Sequence, residues 1–184
     1  MHLSRTPITT PIGDMLALAS DQGLCALEFI HVKKRQTTAT RERLSRLKAR
    51  LRRWFPPHEI VDEDTAIFER TRTWLSTYFD GDSADVGDLP IDMHGAPFEQ
   101  RVWRALLEIP AGETMSYGGI AKKLGNAGAS RAVGAANGAN PIAIIVPCHR
   151  VIGSSGSLTG YGGGLERKTW LLDHERRWRN DSLF

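Results

Sequence analysis

Five consecutive apolar residues, Ile142-Ala-Ile-Ile-Val146, run straight into Pro147 and then Cys148. Such a run has no face to give to water. It predicts a buried strand ending at the proline, and it leaves Cys148 at a rigid point directly behind that strand. His149 and Arg150 follow. A thiol is a nucleophile only as the thiolate, which needs a base, a cation or a helix N-terminus nearby. His149, Arg150 and a carboxylate brought in by folding are the candidates. Two plainer readings compete. A free cysteine is often a small buried hydrophobe. A Cys–His thiol hydrolase would use the same residue types, although adjacent side chains diverge and His149 would need help from the local backbone.

Upstream, Leu16-Ala-Leu-Ala-Ser and Leu24-Cys-Ala-Leu-Glu-Phe29 read as two strands around a turn containing Gly23, and Glu59-Ile-Val-Asp62 as a third. Between them, residues 33–53 hold ten Lys/Arg against one acid, Glu42. Leu44, Leu47, Leu51 and Trp54 are spaced three, four and three apart, which predicts an amphipathic helix with a positive outer face, stopped at Pro56-Pro57. A second helix runs from Ala66 to Phe79, with Phe68, Thr71, Leu75 and Tyr78 on one face and Gly81 as its stop. Acidic residues, Gly and Pro then concentrate from Asp80 to Asp92. That shift marks the expected division into an N-terminal subdomain, residues 1–90, and a C-terminal one, residues 91–184.

The second half opens with a predicted helix from Pro97 to Ile109, its buried stripe formed by Phe98, Val102, Leu106 and Ile109. Ser116 is placed to cap a short helix, Tyr117 to Leu124, and Gly125-Asn-Ala-Gly128 leads into another, Ala129 to Gly138. Two short helices joined by a tight glycine turn form the helix-turn-helix pattern, though many helical hairpins never meet DNA. A last helix carries Leu171, Leu172 and Glu175, and the charged tail from Arg176 to Asp181 is expected to fray. The fold class is therefore an α/β N-terminal subdomain, a small sheet with helices, plus a mainly α C-terminal subdomain with a helix-turn-helix.

Pro147-Cys-His-Arg-Val151 resembles the active-site motif of the O6-alkylguanine-DNA alkyltransferases. The likeness extends to both sides: Ser116-Tyr117, Ser130-Arg-Ala-Val-Gly134 and Asn137-Gly-Ala-Asn-Pro141 upstream, then Ser154-Ser-Gly, Gly160-Tyr-Gly-Gly-Gly and Trp170-Leu-Leu-Asp-His-Glu175 downstream. It spans Phe98 to Glu175; the N-terminal half is similar only loosely, through Thr10-Pro-Ile-Gly13 and the strands after it.

The resemblance implies a single-turnover methyltransferase that repairs double-stranded DNA. It would move an alkyl group irreversibly from O6-alkylguanine, with O4-alkylthymine a further substrate, to Cys148. His149 would be the base, acting through a bridging water, with Glu175 fixing its tautomer; Asn140 would be a hinge that holds the cysteine turn. The target base is unreachable inside a duplex and must be flipped into a pocket. Arg131 would fill the vacated stack, and Tyr117 would crowd a phosphate and donate to N3 of the flipped base. Ser116, Asn126 and Ser154 would join them in contacting DNA, while Val151, Tyr161, Gly162 and Asn137 would line the pocket. The small residues Ala132, Gly134, Ala135 and Gly138 make the recognition helix low enough for the minor groove. The family implies no cofactor and a monomer that can cluster on DNA.

Other signals are weaker. Residues 162–169 approach a phosphate-binding loop, but Arg167 stands where its second glycine must be. Cys25, His31, His94 and His2 raise the question of the structural zinc found in some relatives, yet Ser20 occupies the place of a ligand cysteine, so no metal is expected. The five tryptophans read as packing residues, and the basic helix from Lys33 to Arg53 as more often a solvated face than a DNA contact. No stretch approaches the roughly 20 apolar residues of a membrane span, and no leader pattern is visible, so a cytoplasmic location, or a nuclear one in a nucleated cell, is expected. Three alternatives stay open: a non-catalytic lesion binder, whose known examples lack the acceptor cysteine; a helix-turn-helix regulator; and the thiol hydrolase.

Overall fold

The structure, a computed structural model, describes residues 2–30, 38–56 and 58–181. It divides into two compact units, one ending at His94 and the other beginning at Gly95.

The first unit is built on a four-stranded sheet. Strands β1 (His2–Ile8), β2 (Met15–Ala19) and β3 (Leu24–Phe29) form an antiparallel meander, and β4 (Glu59–Asp62) joins the free edge of β1 in parallel. The crossover from β3 to β4 carries α1 (Thr38–Trp54), and α2 (Ala66–Asp80) follows β4. Leu47 and Leu51 of α1, with Phe55, bury themselves against Leu3, Leu18 and Cys25 of the sheet. Met15, Ala17 and Ala19 alternate with Leu16 and Leu18 and are buried too, and α2 packs on the same two strands, β2 and β3. The predicted start of the basic helix, Lys33, lies outside the described residues, as does His31. Gly23 is required by a close approach: a Cβ there would sit 2.6 Å from the carbonyl oxygen of Pro90, the residue whose oxygen accepts from the amide of Leu24.

The second unit is mainly helical. Helix α3 (Pro97–Leu107) starts where Glu99 accepts a hydrogen bond from the amide of Ala96 (2.9 Å), so a carboxylate satisfies one orphan donor of the first turn. The two-residue strand β5 (Met115–Ser116) leads directly into α4 (Tyr117–Lys123), where the Ser116 hydroxyl caps the helix by accepting from Gly119 N (3.0 Å). After Gly125, in the left-handed region at φ 78°, a one-turn 3-10 helix leads into α5 (Ser130–Gly138). Trp103, fully buried on α3, ties that helix to α5 by donating to the carbonyl of Ala136 (2.8 Å). The short strand β6 (Val151–Ile152) runs parallel to β5, and α6 (Leu165–Asp181) closes the unit.

Two expectations are corrected. Residues 142–146 are buried throughout but form a compact turn instead of a strand: the amide of Val146 bonds back to Ile142 O (3.1 Å), and that of Ile145 to Ala143 O (3.0 Å). Burial alone cannot distinguish a strand from a turn whose polar groups pair internally. The tail does not fray at Arg176, because α6 continues to Asp181, with Arg176 paired to Asp173 (3.1 Å) and the Trp178 ring against His174. Of the five tryptophans only Trp103 is fully buried; the others are partly exposed.

Candidate active site

The buried turn is built to hold the cysteine. Asn140 spans it from inside: its Nδ2 donates to the carbonyls of Ile142 (3.3 Å) and Val146 (2.8 Å), and its Oδ1 accepts from Ile142 N (3.0 Å). Among the described residues other than glycine, Ile144 alone has a positive φ, 72°. A β-branched residue in that region stores strain, which persists only where surrounding contacts over-determine it. Pro147 follows, and Cys148–Arg150 form a single 3-10 turn, with Cys148 N bonded to Val146 O (2.8 Å) and Arg150 N to Pro147 O (3.0 Å). Asn137 of α5 donates from Nδ2 to the Cys148 carbonyl (3.4 Å) while its Oδ1 is buried and unpartnered.

Helix α6 supplies the rest. Lys168, Leu171, Leu172 and Glu175 recur at helical spacing and are all buried. Glu175 Oε1 lies 2.7 Å from His149 Nε2. The carboxylate also accepts from Arg150, at Oε2 from Nε (2.9 Å) and at Oε1 from Nη2 (2.9 Å), and at Oε2 from the amide of Gly112 (3.1 Å). Burial would push the Glu175 carboxyl up, but the hydrogen bond from His149 and the hydrogen bonds and charge of Arg150 outweigh it and hold the group well below the usual carboxylate range. Burial lowers His149, Glu175 pulls it back up, and the charges of Arg150 and Lys168 lower it again, so the net direction is down. Arg150 alone is enough to balance the carboxylate, so the pair is an anionic Glu175 and a neutral His149. Because an ionised carboxylate only accepts, the imidazole proton sits on Nε2, and Nδ1, buried and without a partner, keeps its lone pair.

Two residues enter that sequence reasoning did not single out. Lys168, with no exposed surface, donates from Nζ to the carbonyls of Val151 (2.6 Å) and Thr159 (2.8 Å). It thereby joins the strand after the cysteine to the loop beyond it. Burial lowers its ammonium, and the charge of Cys148 pulls it back up. Thr159 donates from Oγ1 to the Tyr117 hydroxyl oxygen (3.0 Å), leaving the tyrosine proton free for another acceptor. The legible signal for Lys168 was a cation seven residues before Glu175 on an apolar helix face. Arg150, weighed from the sequence as a cation for the thiol, is instead committed to Glu175 and to the carbonyl of Ile109 (2.6 Å).

The pairing of β5 with β6 lays Ser116 beside Ile152, which brings the start of the helix-turn-helix to the strand that follows the cysteine turn. An open cleft of about 530 Å³ lies there, lined by Tyr117, Arg131, Gly134, Ser154 and Thr159 among others. Arg131 and Ser154 are exposed at it. Asn126 is exposed in the turn between the helices and is not among the lining residues. Val151 is buried, Gly162 is exposed, and the Tyr161 ring stands edge-on to His149 with centroids 6.4 Å apart.

Comparison with known proteins identifies this arrangement. Residues 3–93 match the model of the 6-O-methylguanine DNA methyltransferase ribonuclease-like domain, and residues 97–177 that of its DNA-binding domain. A methylated-DNA–protein-cysteine methyltransferase of Mycolicibacterium paratuberculosis is 61% identical over 121 residues, 66% of this chain and 73% of the relative. The chain belongs to the 6-O-methylguanine DNA methyltransferase family. The solved Mycobacterium tuberculosis member of the family, determined in complex with DNA, superposes with a TM-score of 0.74 at 40% identity, covering 97% of this chain and 94% of that one. The hyperthermophilic Pyrococcus kodakaraensis methyltransferase, at 24% identity and a TM-score of 0.70 over 94% of this chain and 98% of that one, shares the fold. The methyltransferase fold is thus an α/β unit with a small sheet, and a helical unit carrying the helix-turn-helix and the cysteine turn.

Proposed function

We propose that this chain repairs DNA by direct reversal, Cys148 taking the alkyl group from O6 of guanine once per molecule. The observation that carries the reading is the buried pair of Glu175 on α6 with His149 on the turn that bears Cys148, with imidazole Nδ1 unpartnered. Through a bridging water, Nδ1 takes the thiol proton. The thiolate then attacks the alkyl carbon; the S–C bond forms as the C–O bond breaks, and the electron pair stays on guanine. Tyr117 donates to N3 of the leaving base, where a hydrogen bond is worth most as negative charge develops. The Lys168 ammonium adds a fixed positive charge beside the thiolate.

The partner in this reading is double-stranded DNA; the solved M. tuberculosis relative is in complex with DNA. The recognition helix α5, with its small exposed residues, enters the minor groove; Arg131 occupies the stack vacated by the flipped base, a step that costs a few kcal/mol. Ser116, Asn126 and Ser154 contact the strand, and Val151, Tyr161, Gly162 and Asn137 form the pocket. Among the described residues no helix is long and apolar enough to cross a membrane, and we place the protein in the cytoplasm, acting as a monomer that can cluster on DNA.

Cys148→Ala tests the reading. It should abolish removal of the methyl group from an O6-methylguanine duplex while leaving duplex affinity nearly unchanged, because phosphate contacts carry most of that affinity. Methyl removal that survives in Cys148→Ala would overturn it.

A further inference from the structure

The outer face of α1 is unlike the rest of its unit. Every described arginine of that unit outside α1 is matched by a carboxylate: Arg5 with Asp62 (2.8 Å), Arg70 with Asp88, and Arg72 with Asp64 (2.7 Å). On α1 the two inward cations are also committed, Arg43 to the buried Glu28 (2.6 Å) and Arg50 over the Trp54 ring at 4.6 Å. Arg41, Arg46, Lys48, Arg52 and Arg53 are exposed, and no ion pair reaches them among the described residues. A single exposed carboxylate on the helix, Glu42, accompanies them.

Their spacing makes a stripe. Arg41, Lys48 and Arg52 stand seven and four residues apart in one row, with Arg46 and Arg53 seven apart in a second row about 130° around the helix, the two rows flanking its outward face over about 18 Å. Like charges four apart, such as Lys48 and Arg52, oppose helix formation, and the single carboxylate Glu42 does not offset five cations. A linear polyanion would. Duplex DNA presents one charge for about every 1.7 Å of axis, a ladder suited to an elongated stripe. An anionic bilayer fits less well, since a helix that lies in a membrane surface must insert its apolar face. Leu47 and Leu51, the apolar face of α1, are buried against the sheet.

We propose that the α1 stripe is a second DNA-backbone surface, separate from the helix-turn-helix, which binds duplex phosphates without reading sequence. The inference rests on the reading that the protein acts on DNA. Its role is to hold the protein on undamaged duplex and raise the salt dependence of that binding.

The test replaces Arg41, Arg46, Lys48, Arg52 and Arg53 together by Gln, which keeps helix propensity, in the full chain. Binding to an unmodified duplex is measured from 50 to 200 mM salt for wild type and variant. The slope of log K against log salt should become shallower by about 0.9 for each phosphate contact removed, hence by at least about 2, with affinity at 50 mM salt down more than about tenfold. Benzyl transfer from the free base O6-benzylguanine should be unchanged, and the melting temperature should not fall, which separates lost binding from lost folding. An unchanged slope in a folded variant overturns the inference, as does wild-type binding to phosphatidylglycerol vesicles that the substitutions abolish while duplex binding persists. Failure of the wild type to bind duplex at all would instead bring down the DNA reading itself.

Discussion

Glu175 accepts from His149, Arg150 and Gly112 at once, and the competition among these donors decides how His149 behaves. Arg150 neutralises the carboxylate, so His149 has no need to be charged, and burial keeps it neutral below the ordinary histidine value of 6.5. The base is therefore available throughout the neutral range, and the acid limb of the rate of methyl transfer should lie below pH 6.5. A limb centred at or above that value would mean an exposed or cationic imidazole. Stability should follow with a definite sign. Below pH 6.5 the unfolded chain binds a proton at His149 that the folded chain refuses, so stability should fall by at most about 1.4 kcal/mol per pH unit from this group. The Glu175 contribution, fully present above the ordinary carboxylate value of 4.5, is lost progressively as pH falls from there to its lowered folded value. Glu175→Gln places an amide nitrogen among donors and leaves Arg150 buried without its anion. Urea denaturation should show a loss of about 3–5 kcal/mol, the usual cost of breaking a buried pair from one side, and transfer should slow with it. Full stability in this variant would show that Arg150 finds another partner.

At the scale of elements, the turn at 142–146 does the positioning, and it was the part least legible in the sequence. The apolar run correctly announced burial, but five apolar residues carry no periodicity, so strand and turn look alike. What decides between them is Asn140, whose amide replaces strand pairing by bonding Ile142 and Val146 from within. Elements with a period were plain: the stripes of α1 and α2, the Ser116 cap and the Gly81 stop lie where spacing and cap chemistry put them, while α3 buries Val102 and Leu106 as expected but ends at Leu107, before the buried Ile109, and leaves Phe98 half-buried. Strand β1 was missed, since Ser4, Arg5 and Thr6 break its apolar content, and Ser4 and Arg5 are satisfied by side-chain partners Glu63 and Asp62 that are remote in sequence. Lys168 and Thr159 were hidden for a similar reason, because their bonds to Val151, to each other and to Tyr117 exist only once the chain has closed. Asn140→Ala should cost about 1–3 kcal/mol for each buried group left unsatisfied and free the Ile144 backbone from its left-handed conformation. The expected outcome is a lower melting temperature and a transfer rate that falls on duplex and free base alike. A loss on duplex only would move Asn140 from the cysteine turn to DNA contact.

Taken as a whole molecule, the chain joins a helical unit that holds the cysteine turn to a sheet unit whose outer helix carries unmatched positive charge. In the helical unit Cys148 is buried at 4% exposure, and in the proposed reaction the groups around it withdraw one proton and stabilise one anion. None of them can act on a thioether, which has neither a good leaving group nor a proton to surrender, so the alkylated protein has no route back. Added carbon in this packed turn should also strain it, by about 1–3 kcal/mol as in other overpacked cores. The decisive measurement is a titration of the protein against excess O6-methylguanine duplex, read by intact-mass spectrometry. The account predicts that repair stops at one equivalent, with every molecule heavier by one methyl group at Cys148; repair that continues beyond one equivalent, or a methyl group at another residue, would contradict it.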